Sequence, residues 1–264
     1  MISVAELTVT FGRRTPLEKQ ALAGIDLAVE SGEFVSVIGS NGAGKSTLLS
    51  AIAGDVPVTG GRIVIDGIDV TGQSTPERSA RVARVFQDPL AGSCGTLTIE
   101  ENLALAVARG HRRGLARALS HERRTLFRER VAELGLGLEG RLHDRMALLS
   151  GGQRQSLALL MATLAKSSVL LLDEHTAALD PGMAEFVLDL TRRTVAEHRL
   201  TTLMVTHSMR QALDLGTRTI MLHEGRLVLD VKGEERAGLT VGALVAMFRR
   251  QRGQTLDDDA LLID

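Results

Sequence analysis

Two kinds of apolar pattern run through the chain. Short unbroken runs rich in Val, Ile and Leu recur at Phe34–Ile38, Val169–Leu172, Leu203–Thr206 and Ile220–Leu222. Continuous runs of this length mark strands buried on both faces, and helical stretches separate them, so the pattern predicts an α/β fold built on a parallel sheet. The first third differs. Ile2, Val4 and Leu7 alternate with Ser3, Glu6 and Thr8, and Ser3–Phe11, Ile25–Val29 and Gly61–Val70 carry β-type patterning punctuated by Gly12, Gly32, Gly60, Gly61 and Gly67. These segments predict an antiparallel flank. From Ile99 to Arg145 the strand signal disappears, and Ile99, Leu103, Leu105, Val107, Leu115, Leu119, Leu126, Val131 and Leu134 fit helices. A helical subdomain spanning approximately 88–150 is therefore expected inside one domain, 1–250, with an acidic tail over 251–264.

Composition narrows the possibilities. The 264 residues carry 31 Lys+Arg against 32 Asp+Glu, and 44% are hydrophobic. That balance excludes a disordered chain and lends nothing to a general polyanion-binding role. Six Phe with no Tyr and no Trp leave too few rings for base-stacking surfaces, so no nucleic-acid partner is expected. One cysteine, Cys94, excludes an intramolecular disulfide and points to a reducing compartment. The start lacks a basic segment followed by an apolar stretch, and no apolar run approaches the roughly 20 residues of a membrane span. A cytoplasmic protein is expected, able to sit against a membrane through a partner.

The most informative segment is Gly39-Ser40-Asn41-Gly42-Ala43-Gly44-Lys45-Ser46-Thr47, which fits G-x-x-x-x-G-K-[ST] between an apolar strand and a helix running from Thr47 to about Gly54. Glycines at 39, 42 and 44 allow the tight turn that aims N–H groups at phosphate oxygens, and the helix N-terminus adds partial positive charge. Lys45 is placed for the β- and γ-phosphates and the Ser46 hydroxyl for Mg²⁺. A second segment, Ser168 to Leu172 followed by Asp173 and Glu174, delivers two carboxylates to the carboxyl edge of a sheet, where open α/β folds bind ligands. Asp173 is placed to hold Mg²⁺, directly or through water, and Glu174 to polarise the attacking water as general base. The fold class expected is therefore α/β, a P-loop NTPase parallel-sheet core with an antiparallel β flank and an inserted α-helical subdomain.

Leu149-Ser150-Gly151-Gly152-Gln153-Arg154-Gln155 resembles the signature motif of ATP-binding-cassette (ABC) transporter ATPases. Physically it is a second anion site, in which Ser150 caps a helix and offers its hydroxyl beside the N–H groups of Gly151 and Gly152. The resemblance implies that this motif, Gln153 included, faces ATP held by another subunit. Two copies, or one copy and a paralogous ATPase, would then sandwich two ATP molecules head to tail. Other segments follow in the family's order. Phe86-Gln87-Asp88 resembles the glutamine loop, implying that Gln87 senses Mg²⁺. His175 to Asp180 resembles the segment crossing the dimer interface, and Val205-Thr206-His207-Ser208 resembles the histidine switch, implying that His207 holds the γ-phosphate. The family places an aromatic adenine platform after its first strand, and Phe11 stands at that position; the alternative is a core ring closing the strand. The match covers Met1 to about Asp230.

Two departures qualify the resemblance. His175 follows the catalytic Glu where the family has Pro, with either a surface role or an influence on Glu174, and Met161 stands where an Arg is common. Both fit a branch of bacterial importer ATPases that work with transmembrane permease subunits and, indirectly, a periplasmic or lipoprotein substrate-binding protein. The cargo of that branch is taken to be amino acids, aromatic ones included. The site implied is peripheral on the inner face of the cell membrane. The competing class, a non-transport ABC ATPase acting on DNA or ribosomes, carries long coiled-coil insertions or two cassettes, neither of which is seen here. A small-molecule kinase leaves Leu149–Gln155 unexplained. Arg109, Arg112, Arg113, Arg117, Arg123, Arg124, Arg128 and Arg130 against Glu122 and Glu129 admit a solvated basic face, contact with anionic lipid, or a permease-docking surface. Cys94 is expected to pack or to lie near such a docking groove.

Overall fold

A computed structural model of the chain describes residues 1–111 and 117–252. In chain order the elements are β1 (Ile2–Phe11), β2 (Lys19–Val29), β3 (Phe34–Gly39), α1 (Lys45–Ala53), β4 (Gly60–Ile65), β5 (Ile68–Asp69), α2 (Thr75–Arg78), β6 (Val82–Val85), α3 (Ile99–Val107), α4 (His121–Ala132), α5 (Gly151–Leu164), β7 (Val169–Asp173), α6 (Pro181–His198), β8 (Thr201–Val205), α7 (Met209–Leu215), β9 (Arg218–His223), β10 (Arg226–Lys232), α8 (Gly233–Ala237) and α9 (Val241–Arg252). They divide into two compact units, Met1–Arg78 with the chain from Arg199 onward, and Ser79–His198.

The first unit holds an antiparallel sheet of order β2-β1-β4-β5 and the strands β10-β9-β3-β8. β3 runs parallel to both β8 and β9, while β10 returns antiparallel to β9. Every residue of β3 and β8 is buried, whereas β1 alternates buried and more exposed positions, which is why continuous and alternating apolar patterns separate the two sheets. The expected strand Gly61–Val70 is two strands. Asp66 and Gly67 both have positive φ, 51° and 78°, and turn β4 back onto β5 as a tight hairpin. β2 begins earlier than the apolar pattern, at Lys19, and β10 was not anticipated, because only one of its residues, Val231, is buried. A core of Ile38, Met209, Ala212, Met221 and Leu244 joins β3, α7, β9 and α9.

In the second unit β6 pairs in parallel with β7. β6 also escaped the pattern, since Arg84 interrupts a run of only four residues. β7 is buried throughout, and each fully buried Leu in it contributes about 1.5–3 kcal/mol. Among the described residues between Ile99 and Arg145 the helices are α3 and α4, with turns around them. Thr98 and Glu101 form a reciprocal capping box at the start of α3, and Ser120 caps α4. Two apolar residues that fit the helical pattern face outward, Leu105 at 47% and Leu126 at 40% exposure. Leu119 precedes α4 instead of lying within a helix. Leu115, Arg112 and Arg113 lie outside the described residues, as does the acidic tail from 253, and α9 runs to Arg252. Among the described residues, no helix is long and apolar enough to cross a membrane.

Candidate functional site

The glycine-rich loop lies in the first unit between β3 and α1. Gly39, Gly42 and Gly44 all have positive φ, at 145°, 76° and 101°. At Gly44 the requirement is also steric, because a Cβ there would stand 2.6 Å from Ala21 O and 2.9 Å from Leu22 Cδ2. Ala43 N donates to Ser40 O at 3.1 Å, closing the turn. Lys45 is 5% exposed, and its Nζ donates to Gly39 O at 2.7 Å and Ser40 O at 3.0 Å, so the ammonium is held within the loop. No side chain caps α1 at its N-terminus, and Ser46 and Thr47 lie in its first turn, where the helix dipole favours an anion.

The same unit brings His207 and Phe11 toward this loop. Val37 of β3 pairs with Val205 of β8, and Thr206 N donates to Val37 O at 3.2 Å, so the loop and His207 leave one edge of adjacent strands. Thr206 and Ser208 fix that exit: Thr206 Oγ1 donates to Gln211 Oε1 at 2.8 Å, and Ser208 Oγ accepts from Gln211 N at 3.2 Å. The β1–β2 hairpin approaches Gly44 through Ala21 and Leu22, and Leu22 pairs with Val9, two residues before Phe11. Phe11 is 43% exposed, so its ring does not close the core.

In the second unit Val85 pairs with Leu172, which places Phe86 and Gln87 beside Asp173 and Glu174 at neighbouring strand ends. Gln87 is exposed. Arg84 Nη2 donates to Asp173 Oδ2 at 2.6 Å, and its guanidinium carbon lies 4.7 Å from the centroid of the Phe86 ring. Gln155, fully buried in α5, donates from Nε2 to Phe86 O at 3.2 Å. Ser150 caps α5 reciprocally: its Oγ accepts from Gln153 N at 3.2 Å, and Gln153 Oε1 accepts from Ser150 N at 3.1 Å. Gly151 and Gly152 form the first turn, with Leu179 and Met183 against them. Asp180 Oδ1 accepts from Met183 N at 3.1 Å and so caps α6, whose first residue is Pro181.

His175 is not a surface residue. It is 2% exposed, with Nε2 3.0 Å from Thr191 Oγ1 in α6, and burial pushes its pKa down to about 4. The basic segment is likewise not one solvated face. Arg109 turns inward, donating to Ala162 O at 2.8 Å and Ala165 O at 3.2 Å, and Arg124 pairs with buried Glu100 at 2.9 Å. Cys94 is exposed.

A family model for ABC transporters matches residues 22–177, a span that runs from β2 through the loop, α5 and β7 to just beyond Glu174. The chain belongs to the ABC transporter family. ATP binding and hydrolysis are the activities of its ABC cassette. Among its relatives, a tyrosine transport ATP-binding protein of Clostridioides difficile is 44% identical over 249 residues, 94% of this chain and 98% of the relative. A thiamine import ATP-binding protein of Yersinia pestis is 37% identical over 205 residues, 78% of this chain and 82% of the relative. The cassette also superposes on the dimeric ATP-binding cassette MJ0796 in a post-hydrolysis state bound to ADP and Pi, with a TM-score of 0.76 and 29% identity over 88% of this chain and 98% of that one.

Three cassette residues that support the site were not anticipated. Arg84 shows in sequence only as a charge inside an apolar run. Thr191 sits in α6, with nothing to distinguish it from the other threonines. Gly225 stands in the His223-Glu224-Gly225-Arg226 turn between β9 and β10 and links two parts of the first unit. Its N–H donates to Ala43 O at 3.0 Å and its O accepts from Ala23 N at 2.9 Å. With φ 74°, and a Cβ that would stand 2.7 Å from Ala21 O, only glycine fits there.

Proposed function

We propose that the chain is the ATP-hydrolysing subunit of a bacterial ABC importer whose cargo is amino acids, aromatic ones included. Two copies, or one copy and a paralogue, hold two ATP molecules head to tail and drive transmembrane permease subunits from the inner face of the membrane. A periplasmic or lipoprotein binding protein presents the cargo. The observation that supports this best is the 44% identity, over nearly the full length of both chains, to a protein named for tyrosine transport. The relatives cited are named for transport or import, and the dimeric form of MJ0796 supports the pairing of copies. Nothing in these names favours work on nucleic acid or ribosomes.

Gly39–Thr47 cradles the triphosphate, with Lys45 moving from the loop carbonyls onto the β- and γ-phosphates and Phe11 lying against adenine. Ser150, Gly151, Gly152 and Gln153, with Asp180, serve the nucleotide of the partner copy. Ser46, Gln87 and Asp173 offer oxygen donors only, a hydroxyl, an amide and a carboxylate, which is the hard set that Mg²⁺ selects. When bound, the ion neutralises charge developing on the phosphates. Glu174 accepts the proton of the attacking water, and His207 hydrogen-bonds the γ-phosphate. Closure is favoured by ATP because only the closed pair supplies both halves of each phosphate site. Residues 1–250 act as one ATPase domain, with a helical subdomain at about 88–150 that meets the permease and an acidic tail beyond. Deleting the gene should abolish uptake of labelled tyrosine by the source cells, and a plasmid copy should restore it. Uptake unchanged by the deletion would overturn the cargo assignment.

A further inference from the structure

Glu174 has φ 46°. A residue other than glycine adopts this left-handed conformation uncommonly and at a cost in strain. On one side lies β7, buried throughout. On the other lies His175, whose Nε2 is 3.0 Å from Thr191 Oγ1, and Thr191 is itself fully buried. The Thr191 hydroxyl donates to Val187 O at 2.8 Å. A hydroxyl has one hydrogen, so toward His175 it can only accept, which fixes a proton on His175 Nε2. The chain then turns at once, with Ala177 N donating to Glu174 O at 3.0 Å and Leu179 N to Thr176 O at 3.2 Å.

Glu174 is thus held between a rigid strand end and a side-chain anchor one residue later. We propose that His175 is a positioning residue for Glu174, its hydrogen bond to Thr191 locking the left-handed backbone that aims the Glu174 carboxylate. The proposal rests on Glu174 as general base. Without the anchor, residue 174 relaxes toward an ordinary φ, the peptide plane rotates, and the carboxylate leaves its place. A general base displaced by about 1 Å loses much of its advantage.

Thr191→Val keeps the shape and removes only the hydroxyl. In steady-state assays on the full chain its kcat should fall about 10- to 100-fold, while KM for ATP and ATP affinity stay within about twofold. Thr191→Ser, which keeps the acceptor, should restore kcat to within about threefold of the unmodified protein. A Thr191→Val protein that melts earlier but turns over normally shows an anchor for stability only and overturns the proposal. Should Thr191→Val fail to fold, His175→Phe fills the same volume without a donor and should show the same selective loss of kcat. Normal kcat in His175→Phe overturns the proposal equally. Glu174→Gln is measured alongside. Normal turnover there would remove the general-base assignment and the positioning role with it, whereas normal turnover in Thr191→Val alone removes only the latter.

Discussion

Replacing Arg78 by Met tests how the phosphate-binding helix is held at its far end. Arg78 is 2% exposed, and burial pushes its pKa below the ordinary guanidinium value. Its Nη1 donates to Ala51 O at 2.5 Å and Ile52 O at 2.9 Å, its Nη2 to Thr71 O at 3.0 Å and its Nε to Gln73 O at 3.0 Å. It therefore donates to two carbonyls of the last turn of α1, in the place where Gly54, at φ 85°, ends the helix. Each charge-assisted bond contributes about 1.5 kcal/mol or more, set against several kcal/mol for desolvating the guanidinium. Methionine fills most of the volume but strands carbonyls at about 1–3 kcal/mol each, although Ala51 O keeps Gly54 N at 3.3 Å. The net loss is about 3 kcal/mol. For a domain of this size that lowers Tm by about 6–12 °C, read by circular dichroism at 222 nm. Lysine at 78 should recover less than half of the loss, since an ammonium cannot serve so spread a set of acceptors. A Met variant melting within about 2 °C of the unmodified protein would refute the capping role.

Lys45→Ala should weaken ATP binding about 10- to 100-fold in calorimetry, through loss of a charged contact to phosphate; unchanged affinity contradicts the loop assignment. Phe11→Ala should cost about threefold to tenfold in ATP affinity with little change in Tm, because the ring is already 43% exposed. His175 gives the pH dependence its sign. Its pKa is about 4 when folded against the ordinary imidazole value of 6.5, so between these values the unfolded chain binds a proton that the native protein excludes. Stability is then lost as pH falls from about 6.5 toward 4, by up to about 3 kcal/mol from this group. Urea titrations of the unmodified protein and His175→Phe should converge as pH drops, and parallel curves would contradict the buried neutral imidazole.

How much of this was legible in the sequence depended on length and periodicity. β3, β7 and β8 were readable because burial on both faces forces unbroken apolar runs. β6 and β10 were not. One is four residues long with Arg84 inside it, and the other buries only Val231. Gly61–Val70 read as one strand because Asp66-Gly67 is a two-residue turn within an otherwise continuous pattern. The phosphate loop, the Asp173-Glu174 pair and the Ser150 cap were legible because each depends on residues within a few positions of one another. The Arg84–Asp173 and His175–Thr191 pairs join residues 89 and 16 positions apart, and no local pattern reports such contacts. Inward-facing Arg109 shows the same limit: charge in a row predicts a wet face until backbone carbonyls come within reach.

The most direct test of the account is Glu174→Gln, followed by light scattering and turnover in the same preparation. The side chain keeps its size and loses only the capacity to accept a proton from water. With ATP and Mg²⁺ the variant should shift from monomer to dimer and hydrolyse almost nothing, and removing nucleotide should return it to monomer. A variant that stays monomeric at saturating ATP, or turns over at the rate of the unmodified protein, would contradict the closed ATP sandwich with Glu174 as its base.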